Sequence, residues 1–94
     1  GHTAALTTDD VALEDLDAAA VYIARDNPQA AVSMAGHVLE SVEYLASYPN
    51  LGRAGRVRGT RELVVSGTPF VVVYRVRLDI VQVLRVLHHA RKWP

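Results

Sequence analysis

The sequence predicts an α+β fold of two layers, a helical hairpin packed on one face of an antiparallel β-sheet. Apolar residues recur at three- and four-residue spacings through the first half of the chain. Residues 51–59 then mix glycine with arginine, and beyond them the chain turns to runs of β-branched residues. A helical layer followed by a strand layer is the usual order of an α+β domain.

Each element has a local reason. Residues 3–6 read as a short first strand. Thr7, Thr8, Asp9 and Asp10 form a helix start, with hydroxyls for the orphan N–H groups and acids at the positive end of the dipole. Leu13, Leu16, Ala20 and Ile23 mark the apolar stripe of a first helix over 9–25, with Asp10, Glu14 and Asp17 in solvent. Asn27 caps a second helix, and Pro28 fits its first turn, where a missing N–H costs nothing. Its stripe is Ala31, Met34, Val38, Val42 and Leu45, over 28–47, ending before Pro49. The short link makes the two helices an antiparallel pair. Residues 61–65, 70–77 and 80–87 read as strands, with turns at Ser66–Pro69 and Leu78–Asp79.

Composition narrows the function. The chain has 94 residues, half of them hydrophobic, which suits one compact domain over 3–94. Gly1-His2 reads as a tag remnant. There is no cysteine, so disulfides, thiolate catalysis and cysteine-ligated metals are excluded. With no apolar run of membrane-spanning length and no export signal, no membrane partner and a cytoplasmic location are expected. Neither metal nor cofactor is expected, and adjacent His88 and His89 on a strand would point to opposite faces.

Charge is divided sharply. Residues 1–50 carry eight acids and one base, a net −7, and residues 51–94 carry nine bases and two acids, a net +7. A basic face attracts nucleic acid or an acidic protein; alternatively, the halves neutralise each other in the fold. Gly52, Gly55 and Gly59 with Arg53, Arg56 and Arg58 make a basic loop, but it lacks the Gly-Lys-Ser/Thr ending of a phosphate loop. Phe70 and Tyr74 share a strand face with Val72 and Val76, which makes them core residues rather than base-stacking platforms. Both long strands are apolar on both faces, whereas a helical hairpin covers one. Leu63, Val65, Val71, Val73, Leu84 and Val86 are therefore the candidate groove for a partner chain.

An ordered set of segments carries a family resemblance: Tyr22-Ile23-Ala24-Arg25-Asp26-Asn27-Pro28, Tyr48-Pro49-Asn50-Leu51-Gly52-Arg53, Gly59-Thr60-Arg61-Glu62-Leu63-Val64, Val73-Tyr74-Arg75-Val76 and Leu84-Arg85-Val86-Leu87-His88, then Ala90-Arg91 and Trp93-Pro94. Together they resemble the RelE/ParE superfamily of bacterial type II toxin–antitoxin modules, closest to the ParE branch. Leu78 departs from the glycine often found in that turn, and Leu6 from a frequent tryptophan. The resemblance implies a cytoplasmic toxin neutralised by a cognate antitoxin, of ParD-like or another type, which would fill the groove. ParE-like members inhibit DNA gyrase by binding; RelE-like members cut mRNA on the ribosome.

The residues lean to the binder. Pro69 and Phe70 stand where RelE-like nucleases usually carry an arginine, and neither can hold a phosphate. The nuclease alternative leaves Arg61, His88 and Arg91 as candidates for charge stabilisation and proton transfer. In the binder no residue is catalytic, and the target-binding set is Arg53, Arg56, Arg58, Arg61, Arg91, Lys92 and Trp93. These combine a glycine-rich loop, planar guanidinium groups and a large aromatic anchor. Arg75 and Arg85 are expected on the open sheet face or paired with helix acids.

Overall fold

A computed structural model describes residues 3–89. The elements are β1 (Ala5–Thr8), α1 (Asp10–Ala24), α2 (Pro28–Ser47), β2 (Arg53–Ala54), β3 (Arg61–Val64), β4 (Phe70–Arg77) and β5 (Ile80–His88). The strands form one sheet in the order β1-β5-β4-β3-β2. The two-layer α+β architecture is the expected one. β2 to β5 pair antiparallel, and β1 adds to β5 in parallel, which makes the whole sheet mixed.

The first strand lies two residues later than its sequence suggests. Thr7 and Thr8 do not cap a helix; they extend β1 opposite Gln82 and Val83. Asp9 becomes the N-cap residue with extended backbone, and its N–H donates to the Val83 carbonyl at 2.9 Å. Its carboxylate makes no cap bond. Gln82 Nε2 donates to Asp9 Oδ1 at 2.7 Å, and Arg75 Nε donates to Gln82 Oε1 at 2.7 Å. A polar chain thus ties β4 and β5 to the entry of α1.

The face that α1 turns inward differs from the expected stripe. Ala12 is buried, with Leu16, Ala19, Ala20 and Ile23 packed on the core, but Leu13 is 51% exposed. The cause is Asp15. Its carboxylate accepts Arg85 Nε at 2.7 Å, Arg85 Nη2 at 2.9 Å and the Val86 N–H at 3.0 Å. Pairing of β1 with β5 ends at Val83, so the Val86 N–H has no strand partner on that side. Asp15 supplies the acceptor, and the rotation of α1 that brings it there sends Leu13 outward. The same hydrogen bond raises the Arg85 pKa further above its ordinary value.

α2 follows its sequence closely. Asn27 Oδ1 accepts the Ala30 N–H at 3.1 Å, and Ala31, Met34, Val38 and Leu45 are buried. The core beneath the helices is completed by Val65, Phe70, Val72, Tyr74, Val81, Val83 and Val86. That inventory breaks a simple alternation in β5. The register slips between Val73 and Tyr74: Val73 faces Arg85 and Tyr74 faces Val83, so Leu84 is the extra residue of a β-bulge. The bulge lets Val81, Val83 and Val86 all pack under the helices.

Leu78, in the β4–β5 turn, has φ +54° and is 95% exposed. The left-handed conformation costs a side-chain-bearing residue about 1–2 kcal/mol. Glycine removes that cost but adds back about 0.5–1 kcal/mol of unfolded-state entropy. Leu78→Gly should therefore raise stability by about 0.5–1 kcal/mol, read as a higher denaturation midpoint with unchanged slope. Asp15→Ala, which removes the acceptor of the Val86 N–H and of two Arg85 N–H groups, should lower it by about 2–3 kcal/mol in the same experiment.

Candidate functional site

The region joining α2 to the sheet is organised by Tyr74 on the central strand, whose ring is fully buried. Its hydroxyl donates to the Pro49 carbonyl at 2.8 Å and accepts the Gly52 N–H at 2.8 Å. Position 52 must be glycine for this approach, because a Cβ there would lie 2.7 Å from the Tyr74 ring and hydroxyl. Arg61 Nη1 completes the anchorage, donating to the Gly52 carbonyl at 2.7 Å and reaching that of Asn50 at 3.4 Å.

From this anchor the expected basic loop emerges as a short hairpin. Arg53 and Ala54 pair with Glu62 and Arg61, and the Gly55 N–H donates to the Thr60 carbonyl at 2.8 Å. Glu62 is 4% exposed, and its Oε2 accepts the Arg56 N–H at 3.0 Å. Arg53 Nη2 lies 3.6 Å and Arg56 Nε 3.9 Å from Oε1, with 65% and 49% of those side chains exposed. The structure thus gathers Arg53, Arg56, Arg58 and Arg61 on one hairpin, with Arg61 turned back to hold its base and Arg58 exposed. Arg91, Lys92 and Trp93 lie outside the described residues.

The candidate groove residues do not line one groove. Leu63, Val65 and Val86 pack in the core beneath the helices. Val71 and Val73 face the other side, opposite Val64 and Glu62, and are buried there. Leu84 sits in the bulge. The outer face is therefore not an open apolar sheet. Arg56 and Glu62 fold against Val71, Val73, Leu87, His88 and His89 around a small cavity, so the hairpin loop supplies cover that the helices cannot.

Apolar surface remains at two other places. A cleft of about 330 Å³ between α1 and β5 is lined by Ala18, Ala19, Tyr22, Ile23, Phe70 and His88, among others. A second, of about 260 Å³, shares Ile23 and Phe70 and extends to Met34 and His37 on α2. Further along α2, Tyr44 stacks on Tyr48 with ring centroids 4.8 Å apart. Leu51 and Val64 are exposed beside this pair, next to the base of the arginine hairpin.

The two nuclease candidates among the described residues, Arg61 and His88, do not converge. Arg61 stands opposite Tyr74 on one side of β4, and His88 opposite Phe70 on the other. Four residues of strand and two strand spacings separate their backbones, about 13 Å along the sheet and about 10 Å across it. His88 meets Phe70 edge-on at 5.7 Å. Arg85 takes the expected pairing with a helix acid, although four acids on α1 gave no sign that Asp15 would be the partner. Sequence reasoning missed the role of Glu62, for which the available signal was an acid at the start of an apolar strand.

A helical hairpin over a five-stranded sheet is also the architecture of a known toxin class. The solved structure titled "Chromosomal ParDE TA system from P. aeruginosa" matches with a TM-score of 0.84 and 27% sequence identity, covering 94% of this chain and 98% of that one. The protein Y4kP of Sinorhizobium fredii is 41% identical over 83 residues, 88% of this chain and 85% of that protein. Toxin RelE2 of Caulobacter vibrioides is 40% identical over 80 residues, 85% of this chain and 89% of that protein. Residues 7–93 match the family described as ParE toxin of type II toxin-antitoxin system, parDE. The chain belongs to this family and is a type II toxin.

The Tyr74 anchor is testable through pH. Burial, its largest influence, raises the Tyr74 pKa above 10.0, against the lowering effects of the Gly52 hydrogen bond and Arg61. In the unfolded chain Tyr74 loses its proton at about pH 10, where the folded chain keeps it. Stability should therefore be intact below that pH and fall as pH rises through and above 10. Tyr74→Phe should flatten this alkaline loss and cost about 1–3 kcal/mol at neutral pH, seen by denaturant unfolding at several pH values.

Proposed function

We propose that this toxin acts by binding DNA gyrase through its arginine hairpin, makes or breaks no bond with its own side chains, and is neutralised in the cytoplasm by a cognate antitoxin. The observation that carries the reading is the contrast between the two candidate sets. Arg53, Arg56 and Arg58 are exposed on a braced hairpin, whereas Arg61 and His88 stand too far apart to share one scissile phosphate.

Arginine suits such a surface because its planar fork makes bidentate contacts with carboxylates and phosphates. Tyr44, Tyr48, Leu51 and Val64 flank the hairpin, so aromatic and apolar area adjoins the charge, as in an interface with anchored centre and polar rim. The antitoxin is assigned to the clefts between the helices and the sheet. The two clefts that share Ile23 and Phe70 would take the apolar side of an amphipathic segment.

Purified, antitoxin-free protein should inhibit gyrase supercoiling and leave ribosome-bound mRNA intact. Arg56→Ala/Arg58→Ala should weaken inhibition by about tenfold or more, with antitoxin binding retained. His88→Ala should keep its potency, where a nuclease using that imidazole for proton transfer would lose about 10²–10⁴ in rate. Cleavage of mRNA without an effect on supercoiling would replace this reading with the RelE-like one.

A further inference from the structure

Glu62 is the buried charged residue among the described residues. Burying a carboxylate is unfavourable unless donors meet it, and an apolar side chain of similar volume would serve packing beside Val71, Val73 and Leu87 at least as well. Stability alone therefore gives no reason for an acid at the middle of β3. Its donors give one. They are the Arg56 N–H at 3.0 Å, Arg53 Nη2 at 3.6 Å and Arg56 Nε at 3.9 Å. Two come from the loop arginine and one from β2, so one carboxylate grips both sides of the hairpin from within. The guanidinium groups stay largely in solvent, held at the mouth of the pocket rather than withdrawn into it.

We propose that Glu62 is the positioning residue of the target-binding hairpin: it fixes the Arg56 backbone and sets the directions in which Arg53 and Arg56 face the target. This rests on the reading above that these arginines contact the target. Glu62 itself touches no partner. Its two oxygens are both acceptors, and all three neighbours are donors. A glutamine at 62 offers one acceptor oxygen and turns an NH₂ donor toward the remaining donors, so shape is kept while the grip is lost.

The test uses Glu62→Gln, Arg56→Ala and the double variant, with Glu62→Val as a second replacement that removes the acceptors altogether. Hydrogen exchange reads the hairpin, supercoiling inhibition reads the target, and antitoxin binding reads the fold. The Arg56 amide should exchange about tenfold faster or more in both position-62 variants, while Tyr74 and Val83 keep their protection. Inhibition should weaken by about tenfold with antitoxin binding unchanged, and in the double variant the loss should fall short of the product of the two single losses, since only the Arg53 contact remains for Glu62 to direct. Unaltered exchange at Arg56 overturns the proposal. So does a double variant whose loss is the product of the two single losses, because Glu62 would then act independently of Arg56. If Arg56→Ala and Glu62→Gln both keep full potency while exchange at Arg56 rises, the target surface lies elsewhere. In that case the target-binding reading fails, and Glu62 is left as a brace of the hairpin only.

Discussion

The Tyr74 hydroxyl is the interaction on which the arrangement of this molecule turns. The ring sits in the core under the helices, and the oxygen at its tip receives one backbone donor and meets one backbone acceptor from the segment that leaves α2. A buried N–H at Gly52 and a carbonyl at Pro49 would otherwise lack partners, each at a cost of about 1–3 kcal/mol. Because Gly52 is held against the ring, the chain enters β2 at a fixed point, and β2 can pair only with the start of β3. The position of the arginine hairpin is thus set from the core outward, by a residue that makes no contact with solvent.

The division of charge along the chain resolves into two kinds of pairing. The acidic half reaches the basic half at Asp15–Arg85, and more loosely through Asp9, Gln82 and Arg75. The hairpin arginines do not take part. Among the described residues their ion pairs go to Glu62, which belongs to the basic half itself. One carboxylate between two guanidinium groups leaves the hairpin with net positive charge facing solvent. Partial neutralisation in the fold and a basic presenting surface therefore coexist, on strands separated by β4.

The two carboxylates do different work. Glu62, on a β3 already paired with β2, holds the Arg56 N–H of the loop, whereas Asp15 occupies the edge of β5 where β1 stops and accepts the Val86 N–H. An open edge invites pairing with another chain, and a side-chain acceptor on its N–H groups removes part of that template. At Val86 this favours a partner that packs side chains into the adjoining cleft over one that adds a strand there. The bulge at Leu84 reinforces the same arrangement, since it sends Val86 to the core and breaks the flat run of β5.

The sequence by itself determined the elements, their order and most of the core. α2 and β4 have the limits that capping, proline placement and β-branched runs demand, because those signals act within a few residues. The family was legible from the ordered segments for the same reason. Tertiary structure decided what depends on contacts distant in the chain. Leu13 is exposed because Asp15 must reach Arg85, 70 residues away. The anticipated groove is split between two faces because the β3–β4 register sets Leu63 beside core Val72 and leaves Val71 and Val73 on the other side, while the bulge, which leaves no periodic trace, displaces Leu84. The basic loop became a braced hairpin because Glu62 is buried there with Arg56 bound to it. Local spacing fixes which face of an element is apolar, but only the packed chain decides what that face meets.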